Sequence, residues 1–297
     1  MVDLILASLG MSFLCGLTGW GARRLLHKRS GLASPLLCLA VILAAGCVYF
    51  TNGWLSWARF VPLTAAIVWT NLAPVFLSVA AAAAIVIPER PAWRRCLLSL
   101  VLIGFAVGTL LQPIMQPFLR PVRRHPSTVW LDNEVCQQSS RVTCSPAAAA
   151  TLLRAAEIHV EEHQLIDWCL TDSLGTTSLG LWRGLKKATS DTPWRPEVID
   201  ITLDELLSRD REAEIFPRLI LVGFPRFGSV ASPEVEARYT EEYGWPRGFR
   251  HSVVLFGPSD GGGVDVGDPS IGRERWAEQD LRILWRGEAV RLVRSES

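Results

Sequence analysis

No GxxxxGK[ST] run occurs in the 297 residues, so the chain has no Walker-type phosphate loop. No CxxC pair occurs either, and the seven cysteines are an odd number. Neither fact suits a disulfide framework or a paired-thiol redox site. Net charge is nearly absent, at +1, which removes the electrostatic reason to expect a nucleic-acid partner. Acidic side chains are scarce before residue 130, and the long apolar runs end near residue 120. That asymmetry divides the chain, and its length suits two domains.

Four apolar segments, about 3–22, 32–50, 60–87 and 96–118, fill the first part. Each is close to the ~20 residues that span a bilayer. Almost no charge interrupts any face, unlike the helices of a soluble bundle. The third is long enough to tilt, or to bend at Pro74. The first is followed, not preceded, by basic residues, the reverse of a cleaved signal peptide. Residues 1–119 are therefore predicted to be an all-α transmembrane region in the lipid bilayer. Arg23, Arg24, Lys28 and Arg29 in the first loop, and Arg90, Arg94 and Arg95 in the third, place those loops in the cytoplasm. The second loop holds only Arg59. Both termini then lie outside, although Arg120, Arg123 and Arg124 oppose this. Thr70, Asn71 and Gln112 carry no charge to mark a transport path, so interhelical hydrogen bonds are their expected use. Pro113, Pro117, Pro121 and Pro126 predict helix exit into a stiff linker over 112–127. The domain limits drawn are 1–119, a Pro/Arg-rich linker 120–130, and a folded domain 131–297.

That domain reads as α+β. Helices are expected at 145–158 and 161–170, then one capped by Thr176 or Thr177 and running through Lys187. Thr202-Leu-Asp-Glu205 is a capping box for a short helix. Strands are expected at 218–223, 250–257, 264–267 and 289–293, with Gly261–Gly263 as a turn. Residues 224–248, rich in aromatics and glutamates, read as a loop and as a candidate substrate contact. Cys15, Cys38, Cys47 and Cys96 fall in or beside apolar runs, where cysteine acts as a small hydrophobe. Pairing of Cys136 with Cys144 stays open.

The candidate chemistry starts at Gln138-Ser-Ser-Arg-Val-Thr-Cys144-Ser-Pro-Ala-Ala. Cys144 opens an alanine-rich helix whose electropositive N-terminus favours a thiolate. His251 begins an apolar strand and can take the thiol proton, then return it to a leaving amine. Asp268, seventeen residues later on the expected neighbouring strand, can hold the other ring nitrogen. Gln138 and the Cys144 backbone N–H would bind the oxyanion. Taken singly, each residue has an ordinary structural use. Their order and joint spacing make a catalytic constellation.

Residues 131–297 resemble the C39-type peptidase domains of the papain-like cysteine peptidase superfamily. The resemblance rests on Gln-x5-Cys-x-Pro-Ala-Ala at 138–148, Thr-Ser-Leu-Gly-Leu at 177–181, His-Ser-Val-Val-Leu at 251–255, Gly-Asp-Pro-x-x-Gly at 267–272 and Trp285-Arg-Gly287. It implies helices packed on an antiparallel sheet, a cysteine-type endopeptidase, and Cys144, His251, Asp268 and Gln138 as nucleophile, base, orienter and oxyanion donor. It also implies a peptide substrate, leader or precursor processing beside an export system, and no metal or organic cofactor. The family usually has Gly after the cysteine. Ser145 stands here, and is expected to narrow the cleft.

Two rivals share the sequence. One is a catalytically weak or inactive peptide-binding domain of a membrane complex, for which Ser145 leaves room. The other is a zinc metallopeptidase. His159-Val-Glu-Glu-His163 fits an inverted H-x-x-E-H motif if one helix carries it, with Glu162 as base and Glu205 or Glu212 as a third ligand.

Overall fold

The structure is a computed structural model. It describes residues 1–295 apart from 52, 89, 126, 133, 200–201, 208–216, 229–231, 243, 246 and 260–261. Pro126, Glu212 and Gly261 therefore lie outside the described residues. The chain forms two compact units, Met1–Leu119 and Arg120–Ser297.

The first unit contains four helices long and apolar enough to cross a membrane: Val2–Lys28, Ser30–Phe50, Ala66–Val86 and Ala92–Leu119. The third is the inner one, with 61% of its apolar window buried against 22%, 17% and 22% in the others. Small side chains explain its position. Ala80, Ala83 and Ala84 are fully buried and let neighbouring backbones approach. Ile5, Leu6, Phe13, Leu100 and Phe105 stay exposed, as lipid-facing side chains would. Asn71 donates from Nδ2 to the Thr109 carbonyl at 2.9 Å, an interhelical bond of the expected kind. Thr70 instead bonds back to the Ala66 carbonyl.

One expectation fails in this unit. Pro74 does not bend a long helix; it sits in the first turn of the segment Ala73–Val86, after Ala66–Trp69 has ended. A proline there gives up an N–H that has no intrahelical partner anyway. The last helix exits within the expected stretch 112–127 but not at its first prolines. It runs through Pro113 and Pro117 to Leu119, because proline is tolerated in apolar helices whose freed carbonyls find other donors.

The second unit is α+β. Strands β1 (Val129–Leu131) and β2 (Val135–Gln137) form a hairpin. The six others are β3 (Trp194–Ile199), β4 (Arg218–Gly223), β5 (Arg250–Pro258), β6 (Val264–Asp268), β7 (Gly272–Trp276) and β8 (Trp285–Arg294). They make one antiparallel sheet in the order β3-β8-β4-β5-β6-β7. Side chains alternate faces along a strand. Val253 and Leu255 of β5 join Val264 and Val266 of β6, with Trp245, Trp276 and Leu281, in one buried cluster. Ser252 points to the other face, toward the helix Cys144–Ala155.

That helix can press on the sheet because Ala147, Ala148, Ala149 and Ala150 are small and buried. It ends at Ala155, earlier than expected, where Glu157 takes a positive φ of 61°. The next helix is Glu162–Trp168, opened by a reciprocal cap between Glu161 and Gln164. A third, Ser178–Ala188, is capped by the Thr177 hydroxyl, which accepts from the Gly180 N–H. The Thr202–Glu205 cap also forms. The stretch expected as a loop over 224–248 contains a helix, Pro233–Glu241, capped by Ser232.

Gly180 has a specific packing role. A Cβ there would collide with the Cys169 carbonyl oxygen. Gly180→Ala is expected to cost about 1–3 kcal/mol of stability by overpacking. Denaturant melting of the full chain checks this, and an unchanged midpoint would refute it.

Candidate active site

Cys144 is the first residue of its helix. Thr143 does not cap the helix with its side chain; its hydroxyl accepts from the Ser140 N–H and donates to the Ser140 carbonyl. The orphan N–H groups of the first turn therefore keep their field at the sulfur. His251 and Asp268 stand on the same face of β5 and β6, and the imidazole Nε2 lies 2.9 Å from Asp268 Oδ1. Asp268 is fully buried. Ser270 fixes the same oxygen, donating its backbone N–H at 2.7 Å and its hydroxyl. The Asp-Pro turn reaches Gln138 too, whose N–H donates to the Pro269 carbonyl at 2.9 Å. Thus one turn holds both the expected orienter and the expected oxyanion donor.

Nε2 being engaged, Nδ1 is left for Cys144, whose thiol is hydrogen-bonded to the imidazole. Burial would raise the Cys144 thiol. The His251 charge and hydrogen bond, the Ser252 N–H and the Ser145 hydroxyl outweigh it and hold the thiol below its ordinary value. For His251, burial acts downward, but the Asp268 charge and then the Cys144 sulfur push it up to about 10. Burial acts upward on Asp268, and the His251 charge and the Ser270 donors hold it below the usual carboxylate range. These directions all favour one charged row: thiolate, imidazolium, carboxylate. The other two cysteines of this unit differ. Burial pushes Cys136 up, and Cys169 up to about 12. All cysteines are free, Cys136 and Cys144 included.

Cys144, His251 and Gln138 line a cavity of about 640 Å³ with Arg141, Trp245 and Phe249. The Trp245 indole lies 4.6 Å from the His251 ring, centroid to centroid, and packs on Tyr239 and Trp276. It covers the imidazole and shields its bond to Asp268 from water. No local signal singles out Trp245, because it lies in the stretch 224–248 that reads as a loop. None singles out Ser252 either, although it follows His251 directly. Ser145 does enter the cleft wall, and its hydroxyl is 2.7 Å from Ser252 Oγ.

The zinc alternative loses its geometry. His159 lies in irregular backbone before the helix Glu162–Trp168, so His159 and His163 do not share a helical face. Glu162 is buried and accepts the Ser139 N–H at 2.9 Å. Among the described residues no group of three or more His, Cys, Asp or Glu is placed to hold a metal ion.

No protein-family profile matches the chain. An uncharacterized protein of Methanothermobacter marburgensis is 26% identical over 166 residues, which is 56% of this chain and 92% of that one. Among solved structures, the peptidase domain of Streptococcus ComA, a bifunctional ABC transporter of a quorum-sensing pathway, is 18% identical with a TM-score of 0.41. The match covers 58% of this chain and 100% of that domain. A double-glycine-motif protease of an AMS/PCAT transporter, solved with its leader peptide, is 17% identical with a TM-score of 0.40, over 59% of this chain and 96% of that one. At these values the likeness says nothing of chemistry, which rests on the residues above.

Proposed function

We propose that this protein is a membrane-anchored cysteine peptidase, with 1–119 as the anchor, 120–130 as the linker and 131–297 as the peptidase domain. The observation that carries the reading is the row Cys144–His251–Asp268 in a cleft with Gln138. The Cys144 thiolate attacks a peptide carbonyl, forming a C–S bond and moving the π electrons onto oxygen. Gln138 and the Cys144 N–H bind that oxyanion. The His251 imidazolium gives its proton to the leaving amine as the C–N bond breaks, leaving a thioester. Water, deprotonated by His251, then releases the acid and restores the thiolate. No step draws on a metal or organic cofactor.

The finer reading is cleavage of a leader or precursor peptide beside an export system, and it rests on the sequence resemblance. The arginine asymmetry of the loops favours an extracytoplasmic peptidase domain.

Alkylation of the purified full chain tests the proposal. Iodoacetamide at neutral pH is expected to label Cys144 well before Cys136 or Cys169, and to stop peptide cleavage. Labelled Cys144 with undiminished cleavage would end the proposal. Gln138→Ala is expected to lower kcat about 10²- to 10³-fold, the usual cost of one oxyanion donor. A change confined to KM would remove Gln138 from that role.

A further inference from the structure

The cleft continues past Cys144 into a second pocket of about 170 Å³. Its polar lining is Arg141, Arg250 and the hydroxyl residues Ser145, Thr176, Ser178 and Ser252. No carboxylate lines it among the described residues. The larger cavity differs, since Glu241 and Glu242 line it together with the same two arginines. Just behind the smaller pocket, Glu288 accepts from Arg250 at 2.9 Å and from Ser178 at 3.0 Å.

Arg286 stands two residues before Glu288 on β8, and its Nε and Nη2 are buried with no hydrogen-bond partner among the described residues. Burial and then the charge of Arg250 hold its guanidinium below its ordinary value. Arg141 has no ion-pair partner among the described residues. Of these three guanidinium groups, Arg250 alone is bonded to Glu288 among the described residues. The hydroxyl pair Thr171–Thr176, at 2.7 Å, spends one hydrogen on its mutual bond and keeps one to give, whereas the pair Ser145–Ser252 gives its second to the Cys144 sulfur. A second carboxylate would relieve the repulsion and take charge-assisted hydrogen bonds from both kinds of donor.

We propose that this pocket receives a carboxylate of the substrate beside the scissile bond, with Arg141 and Arg250 as its specificity-determining residues. This rests on the peptidase reading, because Cys144 lines both cavities and sets the reacting carbonyl at their junction. The carboxylate is an Asp or Glu side chain or the C-terminal carboxylate of the peptide. Both present the same chemistry.

The test uses the full chain in detergent with a mixed-sequence peptide library, cut sites being read by mass spectrometry. Asp or Glu enriched at one position next to the cut is expected, or cuts that need a free C-terminus and vanish on amidation. The first outcome names a side chain and the second a chain end. For the preferred sequence, the ratio of kcat/KM for Asp over Asn, or for free over amidated ends, is expected to be about tenfold or more. It should fall toward one in Arg141→Gln and Arg250→Gln. Cut sites indifferent to acidic residues and to the chain end overturn the proposal. Binding separates it from proteolysis. Cys144→Ala should hold an alanine pentapeptide with a central Asp, or with a free C-terminus, more tightly than its Asn, amidated counterpart. Equal binding overturns the pocket even where cleavage is seen. Charge-selective binding with no cleavage in the unsubstituted chain keeps the pocket and refutes the peptidase.

Discussion

Cys144→Ala is expected to cut turnover by about a millionfold, the scale seen when a covalent nucleophile is deleted, while the domain stays folded. In the proposed reaction the sulfur is the atom that bonds to the carbonyl, and neither other cysteine of the unit would replace it. Burial raises the thiols of both Cys136 and Cys169. The packing loss is small, since alanine keeps the Cβ and removes one atom at the mouth of a cavity. A second readout separates loss of the nucleophile from loss of structure. The sulfur charge helps hold His251 at about 10. Without it the imidazole should titrate lower than in the unsubstituted chain. Histidine NMR checks this against pH. Cleavage at the original rate would end the peptidase proposal, and an unmoved His251 titration would show that the ion pair with Cys144 does not form.

What was legible in the sequence was local. The distance from Gln138 to Cys144, the small residues after Cys144 and the apolar run after His251 are all readable along one strand or one helix. The pairing of β5 with β6 is a short-range hairpin, so Asp268 beside His251 was within reach as well. What failed needed context. Trp194–Ile199 and Gly272–Trp276 are the two edges of the sheet. Their half-exposed faces carry Arg195, Glu197, Arg273 and Arg275, and edge strands are blunted by charge and proline. They do not read as core. Pro196 in the first of them hid it further. The helix Pro233–Glu241 did announce itself, with Ser232 as cap and Pro233 in the first turn, but its polar surface passed for a loop. Trp245 could not be found locally, because its partner ring belongs to another element. The His159–His163 motif has the right letters, yet one helix ends at Ala155, before His159, and the Glu161–Gln164 cap starts the next only after it.

Asp268→Ala is expected to lower kcat about 10²- to 10⁴-fold, with Asp268→Asn falling between it and the unsubstituted chain. The alanine leaves Nε2 without the acceptor that sets the tautomer and swing of the ring. Asparagine is different here. Its oxygen can stay on Nε2 and the Ser270 donors, and its amide nitrogen can occupy the place of Oδ2, which has no partner among the described residues. Orientation survives, and charge is lost. The pH profile distinguishes the two functions. The productive ion pair exists above the lowered titration of Cys144 and below the raised one of His251, so activity should rise on the acid side and fall near pH 10. The two groups interact, and these limbs belong to the pair. Removing the Asp268 charge lowers the imidazole, so the alkaline limb must move down from about 10 toward the ordinary 6.5 in both variants. An Asp268→Ala variant with full turnover and an alkaline limb still near 10 would show that Asp268 neither holds nor charges the imidazole. His251 would then need another partner for the role assigned to it.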